Sequence, residues 1–465
     1  MRLYDETDSA SIEAHGVKLR EAGTLAEVEC EIPIPEDTRE RMIGTRNKSA
    51  FGMLLERSYY GINPGNSPLP DFPEAGVELK SHPLVKHTRK SFQAKERLAL
   101  NMINYQSEAG KTFEESSFSK KNSKIMLVSF EHEDARPAID HPVRITQLIE
   151  FDSLPEKDRL IIRNDWERIQ AKIVAGKAHE LSEGDTDYLS ACTKSATSEN
   201  RRSQAAGGPD AKPRAYSFKP GYMTALSLRI LRPNAPELHE PVLKGKKIEE
   251  LRTKTLEQLV EEQFAPYIGM DTDAIATMVG EGLNKKAKQY RAMLARRMLG
   301  IRGNRIEEFE KAGILMKTIH LTKDGKPKEA ISFPAMSFQG VIHETWDGDP
   351  EEGQLRSELQ TILERKFLFV VFKTEANGRV IFRRAFFWNM PAADIDAVQP
   401  VWEETIEKLA ESDMSSVVRH TDDRIIHMRP HGKDMFDLDT LPNGEMFRKS
   451  CFWLNKNYIK KILDS

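Results

Sequence analysis

The sequence predicts a mixed α/β (α+β) chain built as two tandem, similar halves, and three observations carry that prediction. Each half alternates stretches of helical periodicity with short apolar runs of strand length. A proline-rich bridge, RPNAPELHEP at 232–241, divides the 465 residues into near-equal parts. Several segments of the first half also recur in the second, in the same order. The expected division is therefore 1–235 and 236–465.

The first half supplies the elements in turn. In NKSAFGMLLERSYYG (47–61), Phe51, Leu54, Leu55 and Tyr59 share a face and Gly61 suits a C-terminal cap, so the stretch reads as a helix. A Pro/Gly/Asn loop over 63–70 follows, then AGVELKSH as a strand. KIMLVSFE (124–131) reads as another strand and RNDWERIQAKIVAG (163–176) as a helix. RRSQAAGGPDAKPRA (201–215) reads as a long surface loop with more basic than acidic residues, headed by Arg201 and Arg202. The longest apolar run, FLFVVF at 367–372, has the length of a buried strand and not of a membrane span.

Composition narrows the classes. Lys and Arg number 69 against 72 Asp and Glu, so an anionic partner has to be held by local basic patches and not by the net charge of -3. Three scattered cysteines form neither a disulfide framework nor a cysteine zinc site, as expected in a reducing compartment. The start, MRLYDETDSASIEAHG, is acidic and lacks an apolar h-region. The expectation is a cytoplasmic protein without a membrane segment. The twelve histidines show no HExxH, and their single H-x3-H pair, His427 and His431, falls in a stretch that does not read as a helix; Cys192 has no sequence neighbour that marks a nucleophile.

DFPEAGVELKSHPL (71–84) carries the chemistry. In a strand, residues i and i+2 share a face, so Glu78 and Lys80 point the same way. Asp71 precedes the PEAG turn, close enough to fold back beside Glu78. Two converging carboxylates repel, so one protonates or a cation joins them. Hard oxygen donors of this type suit Mg²⁺, which also accepts phosphate oxygens. A lysine beside them can orient or deprotonate an attacking water and steady charge on a phosphate. This describes metal-assisted phosphodiester hydrolysis. The D-x6-E-x-K spacing alone is weak, because an acidic–x–basic strand is often only the solvated face of an edge strand.

The surrounding residues are more specific. MLLERSYYG, the Pro/Asn/Gly loop, PDFPEAGVELKSHPL and ERLALNMINY resemble the MutH-like branch of the PD-(D/E)xK nucleases. The resemblance continues through FEESSFSKKNSKIMLVSF, GKAHELSEGDTDYLSACTKS and RAYSFKPGYMTAL, nearly the whole first half. That branch contains mismatch-repair nickases and two-domain GATC-specific type II restriction endonucleases of the Sau-three-A type. It implies metal ligation by Asp71 and Glu78 with Glu56 assisting, water activation by Lys80, and a further lysine that bears on DNA or a carboxylate, matched by Lys121, with Lys120 and Lys124 within a shift of register. Of the nickase's base-reading Arg-Pro-Lys, matched here by Cys192, Thr193 and Lys194, only Lys194 transfers, and a lysine donating to guanine is a common major-groove contact. Ser217 stands where the nickase has a methylation-sensing tyrosine, so a hemimethylated-site requirement does not transfer.

The second half reads as a copy without the chemistry. EFEKAGILMKTIHL (308–321) answers DFPEAGVELKSHPL, MLARRMLG (293–300) answers LLERSYYG, and KFLFVVF (366–372) answers KIMLVSF. VWEETIEKL answers DWERIQAKI, and FWLNKNYIKKIL answers YSFKPGYMTAL. Trp166 and Trp402 recur at matching positions, which favours core roles. Glu56 becomes Ala295, Asp71 becomes Glu308, Glu78 becomes Leu315 and Lys121 becomes Leu363, while Lys80 stays as Lys317. Losing a central carboxylate to leucine removes ligand count and anionic charge together. The copy keeps basic residues: seven Lys/Arg and no acid from Asn284 to Arg302, led by Lys285 and Lys286. Arg429-Pro430-His431 lies where the base-reading loop falls, and a second, non-cutting DNA site built on Arg429 and His431 is expected.

The resemblance thus implies two tandem MutH-like restriction-endonuclease folds, the second degenerate, in a Mg²⁺-dependent type II restriction endonuclease cutting duplex DNA at GATC on the 5′ side. One active site per chain cannot cut both strands in one pose, so a dimer on DNA or two successive nicks is required. A cognate DNA methyltransferase is the implied partner. The rivals are a mismatch-repair nickase, disfavoured by the fused copy and Ser217, and a non-enzymatic DNA-binding protein, disfavoured by the intact Glu56, Asp71, Glu78 and Lys80.

Overall fold

A computed structural model describes residues 2–35, 49–63, 65, 67–88, 91–194, 200–235, 238–280, 282–348, 355–415 and 417–464. The chain forms two compact units, residues 1–256 with 307–313, and 257–306 with 314–465.

In the first unit, helix α1 (Ser9–Ala22) is capped by the Asp8 carboxylate, which accepts from the amides of Ala10 and Ser11. The short helix α2 (Ala50–Leu54) runs into a π-helical turn, Leu55–Tyr59. Then come β1 (Val77–Thr88), β2 (Ser91–Ala94), β3 (Leu98–Met102), α3 (Ser117–Asn122), β4 (Lys124–Glu131) and β5 (Val143–Glu150). Helix α4 (Glu156–Val174), β6 (Leu189–Thr193), β7 (Arg214–Phe218) and α5 (Pro220–Leu231) complete the series. One sheet has the order β2-β1-β4-β5 with β1 and β4 parallel, and a second has the order β3-β7-β6. Strand β4 is buried along almost its whole length, as a central strand covered on both faces must be.

The second unit repeats the plan with helix α6 (Tyr290–Met298), β8 (Leu315–Leu321), β9 (Ile331–Ser332), α7 (Glu358–Leu363), β10 (Phe367–Thr374) and β11 (Val380–Trp388). Helix α8 (Ala392–Ala410), β12 (Ile426–Pro430), β13 (Ser450–Leu454) and α9 (Lys456–Asp464) follow. Its sheets have the orders β11-β10-β8 and β12-β13-β9, with β8 and β10 parallel. The registers coincide with the repeat read from the sequence. Glu78 faces Ile125 and Lys80 faces Leu127 across β1–β4, and Leu315 faces Phe367 and Lys317 faces Phe369 across β8–β10. Helices α4 and α8 each have 19 residues, and Trp166 and Trp402 are each 3% exposed in their respective cores.

Boundaries differ from the sequence reading in four places. The helix expected over 163–176 starts at Glu156, because Pro155 is tolerated at its mouth and Glu156 and Asp158 favour a first turn. The strand expected to end at His82 continues to Thr88, paired with β2. The helix expected from 47 is described only from Ala50, residues 47 and 48 lying outside the described residues. The first unit does not end near 235: it runs to Leu256 and takes Glu307–Gly313 as well. Residues 64 and 66 of the expected loop and 236 and 237 of the expected bridge lie outside the described residues.

Candidate active site

The site in the first unit is built by a tight turn against a parallel strand pair. Phe72 and Val77 exchange backbone hydrogen bonds of 2.9 and 3.1 Å, and Gly76 closes the turn at φ +67°. That fold-back brings Asp71 beside Glu78. The Leu79 amide donates to Asp71 Oδ2 at 2.9 Å, and the Asp71 amide donates to Glu78 Oε2 at 3.2 Å. Each carboxylate is thus anchored by the other residue's segment.

Glu78 is 1% exposed and its Oε1 receives two ammonium groups, Lys80 Nζ at 2.5 Å and Lys121 Nζ at 3.5 Å. Lys121 also donates to the Ser67 carbonyl at 3.0 Å. Of the neighbouring lysines, Lys124 turns to Glu150 at 3.4 Å. Burial pushes the Glu78 carboxyl above the usual range, Lys80 and Lys121 pull it back, and Asp71 adds to the rise. Glu56, half-buried in the π-helical turn, is raised by burial first and by Asp71 next. Its backbone is held from both sides: Phe51 stacks on Phe130 at 4.0 Å, and the Tyr59 hydroxyl donates to the His15 carbonyl at 2.6 Å. Single π-turns inside α-helices are frequent at functional sites. In the second unit the corresponding residues lie on the regular helix α6.

The donor set tests the fit to Mg²⁺. Among the described residues no three His, Cys, Asp or Glu side chains stand together as a metal cage. Mg²⁺ does not need one, since it is usually held by one or two carboxylates while waters and phosphate oxygens complete its shell. Asp71 and Glu78, with Glu56 nearby, supply that chemistry. The lysines meeting Glu78 provide the neutralisation that a cation would provide.

The corresponding positions of the second copy do not converge. Ala295 is fully buried and Leu363 is 1% exposed. Lys317 donates to the Ser332 carbonyl at 2.8 Å, and burial lowers its ammonium pKa. Glu308, in the place of Asp71, is fully buried within the first unit and accepts from the Val242 amide at 2.8 Å and the Leu243 amide at 3.2 Å.

The expected DNA contacts fall into two groups. In the first unit Lys194, Arg201 and Arg202 are exposed, flanking residues 195–199, which lie outside the described residues. In the second, Lys286 is exposed, whereas Lys285 is engaged with Asp273 at 2.7 Å. Arg429 is exposed with its guanidinium 4.3 Å from the Trp453 ring, and His431 meets the same ring edge-on at 5.1 Å. Burial lowers the His431 imidazole pKa, and Lys288, Lys317 and Arg429 lower it further, so four basic groups gather here. Sequence reading missed Trp453. The alternation of His427, Arg429 and His431 is the signal that exposes it: it places all three on one face of β12 and its continuation, and the β12–β13 register sets His427 opposite Trp453.

Comparison with known proteins adds to this geometry. Residues 60–165 match the family model described as DNA mismatch repair enzyme MutH. Over 471 aligned residues the chain is 34% identical to the Type II restriction enzyme Sau3AI of Staphylococcus aureus, covering 90% of this chain and 93% of that protein. It is 31% identical over 169 residues to the DNA mismatch repair protein MutH of Vibrio parahaemolyticus, 36% of this chain and 68% of that one. For the MutH of Shigella flexneri the identity is 28% over 191 residues, 40% and 78% of the two chains.

Proposed function

Because the chain belongs to the MutH-like nuclease family that includes the restriction enzyme Sau3AI, we propose that it is a type II restriction endonuclease hydrolysing duplex DNA at GATC with Mg²⁺. The observation that carries this reading is the convergence of Asp71, Lys80 and Lys121 on the buried carboxylate of Glu78. The similarity to Sau3AI spans 90% of the chain, the second unit included, whereas the similarity to the MutH proteins of Vibrio parahaemolyticus and Shigella flexneri spans only 36% and 40%. That supports the two-unit restriction enzyme over the nickase.

In this reading Asp71 and Glu78 hold the ion, with Glu56 assisting. When bound, Mg²⁺ supplies positive charge against the phosphate as negative charge builds there. The chain's own residues do the rest. Lys80, freed from Glu78 Oε1, gives its own proton to solvent and, as the neutral amine, orients the attacking water and takes its proton; Lys121 steadies the charge on the phosphate, and solvent protonates the leaving 3′ oxygen. The water oxygen bonds to phosphorus as the bond to the 3′ oxygen breaks, leaving a 5′ phosphate and a 3′ hydroxyl. Lys194, Arg201 and Arg202 serve the DNA at the first unit. In the second unit Lys285, Lys286, Arg429 and His431 bind a second GATC duplex without cutting it. Two chains on DNA, or two successive nicks, complete a double-strand break, and a methyltransferase that marks GATC at a base other than the adenine protects the host.

The test is incubation with unmethylated plasmid and Mg²⁺ followed by mapping of the ends. Ends at every GATC that require the divalent ion support the proposal. Nicks confined to one strand, or ends unrelated to GATC, overturn it.

A further inference from the structure

We propose that Glu307–Gly313 is a clasp: the turn that lies where the first copy carries Asp71 has become a docking key, which completes the first unit and ties strand β8 to it. The flanking chain on both sides, 257–306 and 314–465, belongs to the second unit, yet these seven residues pack in the first. They are held there by charge. Lys157 Nζ pairs with Glu307 at 3.0 Å and Glu308 at 2.8 Å, and Lys311 Nζ pairs with Asp158 at 2.9 Å and Glu307 at 2.7 Å. Arg229 closes on Asp158 at 3.7 Å. Lys157 and Asp158 open helix α4, Arg229 ends α5, and Glu308 also takes the amides of Val242 and Leu243.

The seat is shaped as well as charged. A Cβ on Gly221 of α5 would stand 2.0 Å from the Glu310 carbonyl oxygen, so the seat depends on the missing side chain at that position. Beneath it, Lys311 Nζ lies 5.6 Å from the centre of the Tyr188 ring, which stacks on Tyr222.

A contact made of buried ion pairs is strongly specific but gains little net stability, because each ion released regains its hydration. Such a contact can be traded between a docked and an undocked state. Strand β8 begins at Leu315, with only Ile314 between it and Gly313, and it carries Lys317. A shift of β8 therefore pulls directly on the key. In the part of the inference that rests on the second-site reading above, DNA held by the second unit acts on the catalytic unit through this clasp.

The experiment uses the full chain, with Gly221→Ala as the steric variant and Lys311→Gln as the electrostatic one. Hydrogen exchange is followed by mass spectrometry on 307–313, on β8, and on β4 as the control for folding. The expected result in both variants is exchange roughly tenfold faster or more at 307–313, a parallel rise at β8 and unchanged β4. Unchanged protection at 307–313, or a rise there that leaves β8 untouched, overturns the clasp. The second readout is the cleavage rate per site on plasmids with two GATC sites and with one. The wild type should favour two sites, and Gly221→Ala should lose that preference while keeping its one-site rate within about twofold. A preference retained by Gly221→Ala overturns the coupling. A wild type without the preference overturns the second-site reading and with it the coupling, while the exchange data still decide the clasp.

Discussion

Glu78 is held 1% exposed between two ammonium groups, a position that only its charge justifies. Glu78→Ala should leave DNA binding measurable while cleavage falls by about a hundredfold or more, since the loss is one of transition-state charge stabilisation. Lys80→Ala should be comparably slow and Lys317→Ala should not; equal losses would place the chemistry in the wrong copy. Ser217 bears on methylation. It is fully buried, its hydroxyl lies 2.9 Å from that of Ser190, and it presents nothing to an adenine methyl group. Rates on unmethylated, hemimethylated and fully N6-methylated GATC duplexes should therefore be similar, and a strong hemimethylated preference would restore the nickase reading. His427 gives a pH dependence. It is 2% exposed, neither ring nitrogen finds a hydrogen-bond partner among the described residues, and burial, with Arg429 and His420, pulls its pKa from 6.5 to about 4. The stability this neutral histidine permits is fully present above about 6.5. It is lost as pH falls toward 4, where the unfolded chain takes up a proton that the folded chain does not. In thermal melts, His427→Leu should shrink the drop in unfolding midpoint between pH 7 and pH 5, and an unchanged drop would refute the assignment.

Among the elements, the β12–β13 pair carries the strongest claim of the second unit. Holding Arg429 over the Trp453 ring restricts the guanidinium before DNA arrives, and less ordering remains to be done on binding. Arg429→Ala should cost about 1–3 kcal/mol at a specific site and nearly nothing on random duplex. Trp453→Leu should reproduce part of that loss, and Trp453→Phe should recover it because the ring face remains. Titration of GATC and scrambled duplexes against the three variants separates base reading from simple attraction. Helix α4 shows how far periodicity reaches. Its C-terminal part is visible as a helical run, but its first turns are not, because Lys157 and Asp158 read as solvated charge. They are instead paired with the 307–313 segment, Asp158 buried and Lys157 partly so.

For the chain as a whole, a formal charge of -3 means that any hold on DNA comes from where the cations gather. Neutralising Lys285, Lys286, Lys288 and Arg291 together should weaken binding to all sequences and flatten its salt dependence. The log–log slope should change by roughly 0.9 for each phosphate left without its cation. Lys285 already pairs with Asp273, so its own share should be the smallest. A slope unchanged in the quadruple variant would mean that the basic run is only a solvated face. The extent of the first unit bears on truncation. A fragment ending at 235 lacks 238–256 and 307–313, which takes Glu308 from Lys157 and Lys311 from Asp158. Such buried charges cost about 3–5 kcal/mol when one partner is removed, so the fragment should melt well below the full chain in calorimetry.

The mixed α/β class, the duplication and the candidate catalytic strand are legible in the chain without any coordinates, because each is written locally. Periods of 2 and 3.6 mark the elements, the order of matching segments marks the repeat, and i, i+2 spacing sets Glu78 beside Lys80. Other features emerge only on folding. Which lysine of the 120–124 run meets Glu78, what lies under Arg429, and where the kept acid Glu308 is used all depend on groups far apart in the chain being brought together by strand register and helix docking. Charge patterning has no period that reports a distant partner: Lys157 and Glu308 are 151 residues apart, and nothing near either one in sequence announces the ion pair between them.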